Sequence, residues 1–434
     1  MQKALFHTLG CRLNQAESAS MAKSLKNAGY EITTEATGAD LVVINSCTVT
    51  GQSDQKTRQA VRSLQRANPT AVTCVVGCMS QVASAEILDI GGVDLILGTE
   101  EKLNIGYWLK QKQPDEPLVA VGTISKASFS IDTLGQHSTY TRPNIKIQDG
   151  CNFLCSFCII PVARGRSRSR ELDNLLKEVD WFVAKGTQEI VLTGVNLGEY
   201  NDSGLDFLGL LDRLNEVKGL ARVRISSIEP TTVDRGIFVR MKEKSHNLQP
   251  YLHLPLQAAT DKILGDMRRR YTLKEYQQFI LDAKETIPNL GLGTDLLTGY
   301  PTETEEDFAE GYKFVQTQPF AYFHVFPYAK REGARSAKLD SLETKELGRR
   351  VDLLRSLSDE KKQAFASAQI GTTQEVLFEG TSGEVYSGYC GNFLRVKVAS
   401  KVDLSNQIHP VKITSAKNGT AFGNIISEVK DATK

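Results

Sequence analysis

The sequence predicts an α/β protein in three parts: an N-terminal doubly wound parallel sheet, a central partial (β/α)6 barrel and a C-terminal small β-barrel. Two observations predict this arrangement. Apolar strand-like runs alternate with helical patterns over most of the chain, which is typical of parallel sheets covered by helices. The last part instead contains short β-like runs broken by Gly, Asn and Ser. At 434 residues, the chain has room for roughly three domains.

Residues 1–110 contain the first alternation. Helical segments separate the apolar runs KALFHTL, LVVINS, TCVVG and VDLILG, and strands spaced in this way indicate βαβ units with helices on both faces of a sheet. Residues 111–141 contain Pro114, Pro117 and a polar stretch, SIDTLGQHSTYTRP, without a clear period. We expect a connector there.

Residues 142–368 resume the alternation of strands and helices. The strand candidates are NIKIQ, EIVLTG, RVRISS, YLHLPLQ, LGTDLLTG and AYFHVFPY. They predict an open barrel related to the eightfold one, with its site at the C-terminal ends of the strands. Residues 369–434 carry the short runs TQEVLFEG, EVYSGY, FLRVKVA and HPVKITSA, which predict the small β-barrel.

Composition narrows the functional classes. Hydrophobic residues make up 41% of the chain, which supports full cores, and no run approaches a membrane span. The start, MQKALFHTLGC, lacks a basic segment followed by an apolar one, so we expect a cytoplasmic protein. In that reducing compartment, cysteines are more often metal ligands or catalysts than disulfides. The net charge of +1 predicts that any contact with nucleic acid is local.

The stretch DGCNFLCSFCIIP contains Cys151, Cys155 and Cys158 in the spacing C-x3-C-x2-C, directly after a predicted barrel strand. A zinc site prefers four ligands in paired spacing, and no fourth ligand follows nearby. An iron–sulfur cubane held by three thiolates leaves one iron without a protein ligand. That iron can bind the amino and carboxylate groups of S-adenosylmethionine (SAM). A structural zinc loop or buried thiols are the alternative.

Three more cysteines, Cys11, Cys47 and Cys78, each follow a predicted strand of the first part. The carboxyl ends of parallel strands are where open α/β sheets bind ligands, so these thiols can converge and hold a second cluster. Taken alone, their placement could also be incidental. Cys74 lies inside a predicted strand and Cys390 in the β-rich tail, and we interpret both as structural.

The words around these cysteines, TLGCRLNQAES, INSCTVT and VVGCMSQ, resemble the methylthiotransferase family of two-cluster radical SAM enzymes. The resemblance covers essentially the whole chain, including a tail similar to a TRAM domain. It continues through IQDGCNFLCSFCIIPVARGRSRSR, EIVLTGVNLGEY, RISSIEP, LHLPLQ, TDLLTGYPTETEEDF and HVFPYAKREG.

The resemblance implies a division of labour between two [4Fe–4S] clusters. Cys151, Cys155 and Cys158 would hold the radical-generating cluster. Cys11, Cys47 and Cys78 would hold an auxiliary cluster that carries the sulfur. One SAM supplies the methyl group and another supplies the radical that activates an aromatic C–H, so cofactors carry the hard step. An electron donor such as flavodoxin or ferredoxin is also implied, whereas the source of the sulfur stays open.

The remaining strand ends suit SAM. In LTGVN, Gly194 would let a backbone approach the methionyl group closely, and we expect the other residues to line its ribose and carboxylate sides. The family's usual QSG is Gln257-Ala258-Ala259 here, which leaves the role of the middle hydroxyl open. Ordinary capping and turn chemistry is the alternative. The cofactor-binding candidates are Phe157, Thr193, Gly194, Asn196, Ser227, Glu229, His253 and Gln257.

The segment RGRSRSR places arginines at alternate positions, and in an extended conformation all of them would point the same way. Guanidinium groups match phosphate geometry, so we expect them to contact the anticodon-loop backbone of tRNA. A second run, Arg268-Arg269-Arg270, is either another RNA contact or a solvated face. The first set is Arg164, Arg166, Arg168 and Arg170. Aromatic and basic residues of the tail could also contact RNA: Tyr386, Tyr389, Phe393, Arg395 and Lys397.

Within the family, the acceptor is a prenylated tRNA adenosine, a threonylcarbamoylated tRNA adenosine or an aspartate of a small-subunit ribosomal protein. TLGCRLNQAES with INSCTVT resembles the second branch. The prediction is therefore addition of a methylthio group to C2 of N6-threonylcarbamoyladenosine at position 37 of tRNA. A zinc-stabilised RNA-binding protein without catalysis is the alternative from another class, but it leaves LTGVN, SSIEP and HLPLQ unexplained.

Overall fold

The computed structural model describes residues 1–113, 116–131 and 141–426. Its first sheet contains six parallel strands in the order β2-β1-β3-β4-β5-β6. All residues of the third strand are buried, as expected for a sheet covered on both faces. The elements are β1 (Lys3–Thr8), α1 (Arg12–Asn27), β2 (Glu31–Thr33), β3 (Leu41–Ser46), α2 (Gly51–Ala67), β4 (Val72–Gly77), α3 (Cys78–Val82), α4 (Ser84–Leu88), β5 (Leu95–Leu97), α5 (Ile105–Gln111) and β6 (Leu118–Ala120).

β6 corrects the predicted extent of the connector. It lies inside the segment 111–141, yet it pairs in parallel with β5, Leu118 opposite Leu95, and completes the first sheet. The strand has only three residues next to a proline-bearing stretch, so its period was too short to recognise. Residues 114–115 and 132–140 of the predicted connector lie outside the described residues.

The central part is a partial barrel made of two three-stranded parallel sheets, β13-β10-β7 and β14-β15-β16. A parallel bridge between Val223 and Leu248 joins them. Its elements are β7 (Asn144–Lys146), β8 (Gln148–Asp149), α6 (Ile160–Arg164), β9 (Arg168–Ser169), α7 (Leu172–Ala184), β10 (Glu189–Thr193), β11 (Asn201–Asp202), β12 (Leu205–Asp206), α8 (Phe207–Asn215), β13 (Arg222–Ile225), α9 (Gly236–Lys242), β14 (Tyr251–His253), α10 (Asp261–Asp266), α11 (Leu273–Thr286), β15 (Gly291–Thr298), α12 (Glu305–Thr317), β16 (Tyr322–Pro327) and α13 (Thr344–Ser367).

The tail is a closed five-stranded barrel in the order β17-β18-β19-β21-β20. Its core is apolar, with Phe378, Val396 and Val411 fully buried. The three predicted architectures of the fold class are thereby confirmed. The strands are β17 (Thr373–Ser382), β18 (Val385–Cys390), β19 (Arg395–Ala399), β20 (Ile408–Lys417) and β21 (Thr420–Ile425).

The first part packs on the barrel through α1, which lies beside β7. There the side-chain amide of Asn144 donates to Gln15 Oε1 at 3.1 Å. The small barrel packs on the opposite half of the same sheet, where Arg222 donates to the carbonyl oxygen of Glu375 at 3.0 Å. The first part and the small barrel therefore both place side chains against the central barrel. Over the described residues, no helix is long and apolar enough to cross a membrane.

Candidate active site

Cys11, Cys47 and Cys78 lie at one edge of the first sheet, because they directly follow or nearly follow β1, β3 and β4, which are neighbours in the sheet. The backbone just before Cys11 passes close to Cys47. A Cβ on Gly10, whose φ is +91°, would lie 2.8 Å from Cys47 Sγ. Burial, together with the neighbouring Cys78 and Cys11 thiols, raises the pKa of Cys47 to about 11. The structure thus brings together the three thiols that the sequence left far apart.

Cys74 and Cys390 lie elsewhere. Cys74 is fully buried in β4 among apolar residues of the first sheet, and burial raises the pKa of its thiol. Cys390 ends β18 inside the core of the small barrel. Both positions agree with a structural interpretation of these residues.

Cys151, Cys155 and Cys158 lie in the loop that follows β8. The amide of Cys158 donates to the carbonyl oxygen of Cys155 at 3.1 Å, so the loop turns tightly. Burial raises the pKa of Cys151 to about 12, and burial with the nearby Cys155 and Cys151 thiols raises the pKa of Cys158 to about 12. Burial therefore makes the thiolate form of these cysteines unfavourable. A cationic metal centre would stabilise the thiolates and offset that cost.

Buried polar atoms without a partner lie just beyond two strand ends of the central barrel and two residues after Cys78. Iron–sulfur clusters need thiolate ligands, and a buried polar atom without a partner calls for an explanation such as a bound group. Among the described residues, Asn196 Nδ2 and Ser226 Oγ are buried without a hydrogen-bond partner beyond the ends of β10 and β13. Ser80 Oγ, close to Cys78 in sequence, is in the same state. The donor sets therefore fit two clusters and a polar cofactor.

Arg269 is a site residue that the sequence interpretation missed. Its side chain is 4% exposed; Nη1 donates to Cys155 Sγ at 3.3 Å and Nη2 to Glu229 Oε1 at 2.5 Å. Burial raises the pKa of Glu229, and Arg269 opposes that shift. Arg269 is therefore neither an RNA contact nor a solvated residue in this structure. Its neighbour Arg270 lies 4.1 Å above the ring of Phe153 in the cysteine loop. The sequence did not reveal the role of Arg269, because nothing in a run of three arginines distinguishes the middle one.

The LTGVN loop is held mainly by Gln148. Its Oε1 accepts from the amides of Val195 and Asn196, both at 2.9 Å. A Cβ on Gly194 would lie 2.9 Å from the same oxygen, so the close approach that requires this glycine is to Gln148. The carbonyl oxygen of Thr193 accepts from the amide of Ile147 at 3.0 Å. The backbone of Thr193 thus takes part in the hydrogen bonding of the barrel wall.

The other cofactor candidates are spread around the barrel. Phe157 packs against the barrel core, and Ser227 is half-buried near Glu229. His253 Nε2 lies 2.9 Å from Asp295 Oδ1, and its ring is 5.6 Å from that of His324. His253 therefore faces the barrel interior with Asp295. Gln257 has φ +71°, and its backbone N–H donates to the backbone carbonyl oxygen of Asp295 at 2.8 Å.

The expectation for the arginines of RGRSRSR is wrong for three of them. Arg164 ends α6, and Gly165 with φ +75° follows, so the segment is not uniformly extended. Arg164, Arg168 and Arg170 are 1%, 8% and 0% exposed. Arg168 pairs with Glu100, and Arg170 with Glu178. Among the four, Arg166 alone is exposed.

Arg164 belongs to a buried charge network centred on Glu17. Glu17 Oε1 lies 2.9 Å from Arg164 Nη1 and 2.8 Å from Lys146 Nζ, and its Oε2 lies 2.6 Å from Lys102 Nζ. Although burial opposes it, these cations hold the pKa of Glu17 well below its usual range. Arg164 also lies 3.0 Å from Asp149 Oδ1.

The network joins the two cysteine loops. Arg164 Nη2 donates to Asn14 Oδ1 at 2.7 Å, and Asn14 Nδ2 donates to the carbonyl oxygen of Leu9, two residues before Cys11. On the other side, Asp149 accepts from the amide of Gly150 at 2.9 Å, just before Cys151. A continuous path of buried and partly buried hydrogen bonds therefore fixes one set of thiols relative to the other.

Two family models match the chain. The model of the uncharacterized protein family UPF0004 matches residues 3–98, and that of the radical SAM superfamily matches residues 145–315. The threonylcarbamoyladenosine tRNA methylthiotransferase MtaB of Bacillus subtilis is 36% identical, over 99% of this chain and 98% of the relative. The chain belongs to the radical SAM methylthiotransferase family. A second relative of this methylthiotransferase, the tRNA-2-methylthio-N(6)-dimethylallyladenosine synthase of Desulfotalea psychrophila, is 30% identical over 96% of this chain and 95% of the relative.

The methylthiotransferase also resembles a solved structure in its fold. The radical SAM methyltransferase TsrM of Kitasatospora setae superposes with a TM-score of 0.57 at 14% identity, covering 78% of this chain and 77% of that one. The predicted enzyme class is confirmed, and membership of the family implies iron–sulfur chemistry with SAM.

Proposed function

We propose that this enzyme adds a methylthio group to C2 of N6-threonylcarbamoyladenosine at position 37 of tRNA. The observation that carries the proposal is the full-length likeness to the Bacillus subtilis relative named for this activity. A relative with the same name from Aquifex aeolicus is also 36% identical, over 84% of this chain. The dimethylallyladenosine synthase is less similar, at 30% identity.

The proposed cofactors are two [4Fe–4S] clusters and SAM. Cys151, Cys155 and Cys158 would hold one cluster, and Cys11, Cys47 and Cys78 the other. When bound, these groups supply the radical chemistry, the sulfur and the methyl group. Unpartnered Asn196 Nδ2 and Ser226 Oγ, together with Glu229, support SAM binding beside the first cluster.

This chain's own residues position and shield the reacting groups. Arg269 bridges Cys155 and Glu229, so its charge lies beside the thiolate loop and stabilises negative charge there. The network of Glu17, Arg164 and Asp149 holds the two cysteine loops at a fixed separation. Groups held at a fixed separation react as parts of one molecule, which removes the entropy cost of bringing them together.

The substrate would be bound from outside the barrel by local contacts. Exposed Arg166 beside the cysteine loop is the remaining phosphate contact of its segment. We place the reaction in the cytoplasm, where thiols stay reduced, and assign the electron to a donor protein such as flavodoxin or ferredoxin.

Nucleoside mass spectrometry of tRNA from cells that lack the gene tests the substrate. The expected result is loss of the methylthio mark from threonylcarbamoyladenosine alone, with the mark restored by the wild-type gene. Loss of the mark from the prenylated adenosine, or unchanged tRNA, would contradict the proposal. Iron and sulfide analysis after anaerobic purification tests the cluster count, and stoichiometric zinc in a colourless protein would contradict it.

A further inference from the structure

Arg12 directly follows Cys11 and begins α1. Its side chain is half-buried, and its guanidinium lies 5.7 Å from the centre of the Phe393 ring, which belongs to the small barrel. Tyr251 and Tyr322 of the central barrel are close enough to interact electrostatically with the Arg12 guanidinium. Arg12 therefore stands where all three parts of the molecule meet, next to the proposed sulfur-bearing site.

No carboxylate of the described residues forms an ion pair with Arg12, and its charged neighbours Arg142 and Arg224 are also cations. The carboxylates of this region pair with those two neighbours of Arg12. Glu189 Oε1 lies 2.7 Å from Arg224 Nε, and Glu379 pairs with Arg142 at 2.8 Å. An arginine cannot lose its proton at neutral pH. In the described part of the chain, Arg142 and Arg224 are therefore matched by carboxylates, whereas Arg12 is not.

The surroundings of Arg12 are aromatic. Phe393 stacks on Tyr389 with ring centres 4.9 Å apart and lies 4.7 Å from Tyr251. Its φ is +67°, an unfavourable value for a residue with a side chain. Arg224 holds this turn by donating to the carbonyl oxygens of Cys390 and Gly391. Strain that the surroundings impose in this way is typical of functional sites.

We propose that Arg12 binds the carboxylate of the threonylcarbamoyl group of the substrate and thereby selects that adenosine over one with an apolar N6 substituent. This inference rests on the proposed function. In the purine ring, C2 and the carbon that bears N6 flank the same nitrogen. When C2 faces the sulfur held by Cys11 and its partners, the N6 substituent lies on a neighbouring side of the ring.

The chemistry accounts for selectivity in both directions. A guanidinium and a carboxylate form charge-assisted hydrogen bonds of good geometry, which would supply the anion that Arg12 lacks. A prenyl group offers no acceptor, so its binding would leave the guanidinium desolvated and unpaired, which is strongly unfavourable. Asp295 is hydrogen-bonded to His253 and, among the described residues, forms no ion pair with Arg12.

The test measures dissociation constants of the cluster-loaded enzyme for anticodon stem-loops that carry threonylcarbamoyladenosine, its threonyl methyl ester or unmodified adenosine. The wild type is expected to bind the acid roughly ten- to a hundredfold more tightly than the ester. Arg12→Gln should reduce this ratio to about one and leave binding of the unmodified stem-loop unchanged. Arg12→Lys should keep part of the ratio, because it keeps the charge but not the planar fork.

The ratio is taken within one protein preparation, so partial loss of cluster in the Arg12 variants changes both constants alike. Arg166→Gln is the matched control, because it removes an exposed arginine and should weaken all stem-loops equally. A wild type that binds acid and ester equally would overturn the inference. So would an unchanged ratio in Arg12→Gln, or a ratio lost in Arg142→Gln but kept in Arg12→Gln.

Failure of the inference and failure of the proposed function give different results. If cells methylthiolate threonylcarbamoyladenosine while the acid-to-ester ratio is about one, the substrate stands and the role of Arg12 is wrong. If cells methylthiolate the prenylated adenosine and the enzyme prefers that stem-loop, the proposed function fails and the inference falls with it.

Discussion

Glu17 is the residue on which three buried cations between the two cysteine loops converge. Its carboxylate is fully buried and bound by Arg164, Lys102 and Lys146. Breaking a buried pair by removing one partner is more costly than any surface pair, because the remaining charges stay desolvated. At the residue scale, the stability of the site therefore depends strongly on this carboxylate of α1, which binds cations of both the first part and the central barrel.

Glu17→Gln is expected to lower the free energy of unfolding by about 3–5 kcal/mol, measured by denaturant titration. The matched control is Glu86→Gln, which breaks the exposed pair with Arg58 and should cost at most about 1 kcal/mol. Because the pKa of Glu17 is lowered on folding, its contribution is present at neutral pH and is lost as pH falls through the lowered value. Equal losses in the two variants would contradict this role.

At the scale of elements, the two groups of thiols are held differently. Cys11, Cys47 and Cys78 follow three neighbouring strands of one sheet, whereas Cys151, Cys155 and Cys158 share a single loop. The strand-end set needs long-range pairing, which the sequence indicated because each cysteine follows an apolar run. The loop set needs only local spacing.

Separate alanine substitutions should distinguish the two sets. Cys151→Ala, Cys155→Ala or Cys158→Ala should abolish 5′-deoxyadenosine formation and retain about half the iron of the parent, if the sites are independent. Cys11→Ala, Cys47→Ala and Cys78→Ala should retain SAM cleavage and lose methylthio insertion. Cys74→Ala and Cys390→Ala are the controls, and both should retain activity. SAM cleavage that survives loss of Cys155 would contradict the assignment.

The sequence predicted elements better than side-chain partners. Each strand candidate of the central barrel overlaps an observed strand, because apolar period and turn residues are local properties. β6 was missed, since three residues beside a proline carry no period. The roles of Arg164 and Arg269 were also missed. Their partners Glu17 and Glu229 lie 147 and 40 positions away, and a charge run does not reveal whether distant carboxylates neutralise it.

At the scale of the whole molecule, three parts meet around one interior. The first part contributes Arg12 from helix α1, the central barrel contributes Tyr251, and the small barrel contributes Phe393. The net charge of +1 gives no general attraction for tRNA, so binding relies on local groups of surface cations. Burial of three RGRSRSR arginines removes them from the surface that tRNA can contact.

Arg166 and Arg168 should therefore behave differently, although they are two positions apart. Arg166→Ala removes an exposed cation and should weaken binding of all tRNAs, lowering the slope of log affinity against log salt by about one. Arg168→Ala breaks a buried contact with Glu100 and Asp149, so it should lower the unfolding free energy and leave the slope unchanged. The measurements are salt-dependent tRNA binding and denaturant unfolding of both variants. Equal reductions of the salt slope would show that Arg168 leaves its carboxylates to bind RNA, and would restore the phosphate role to the buried arginines.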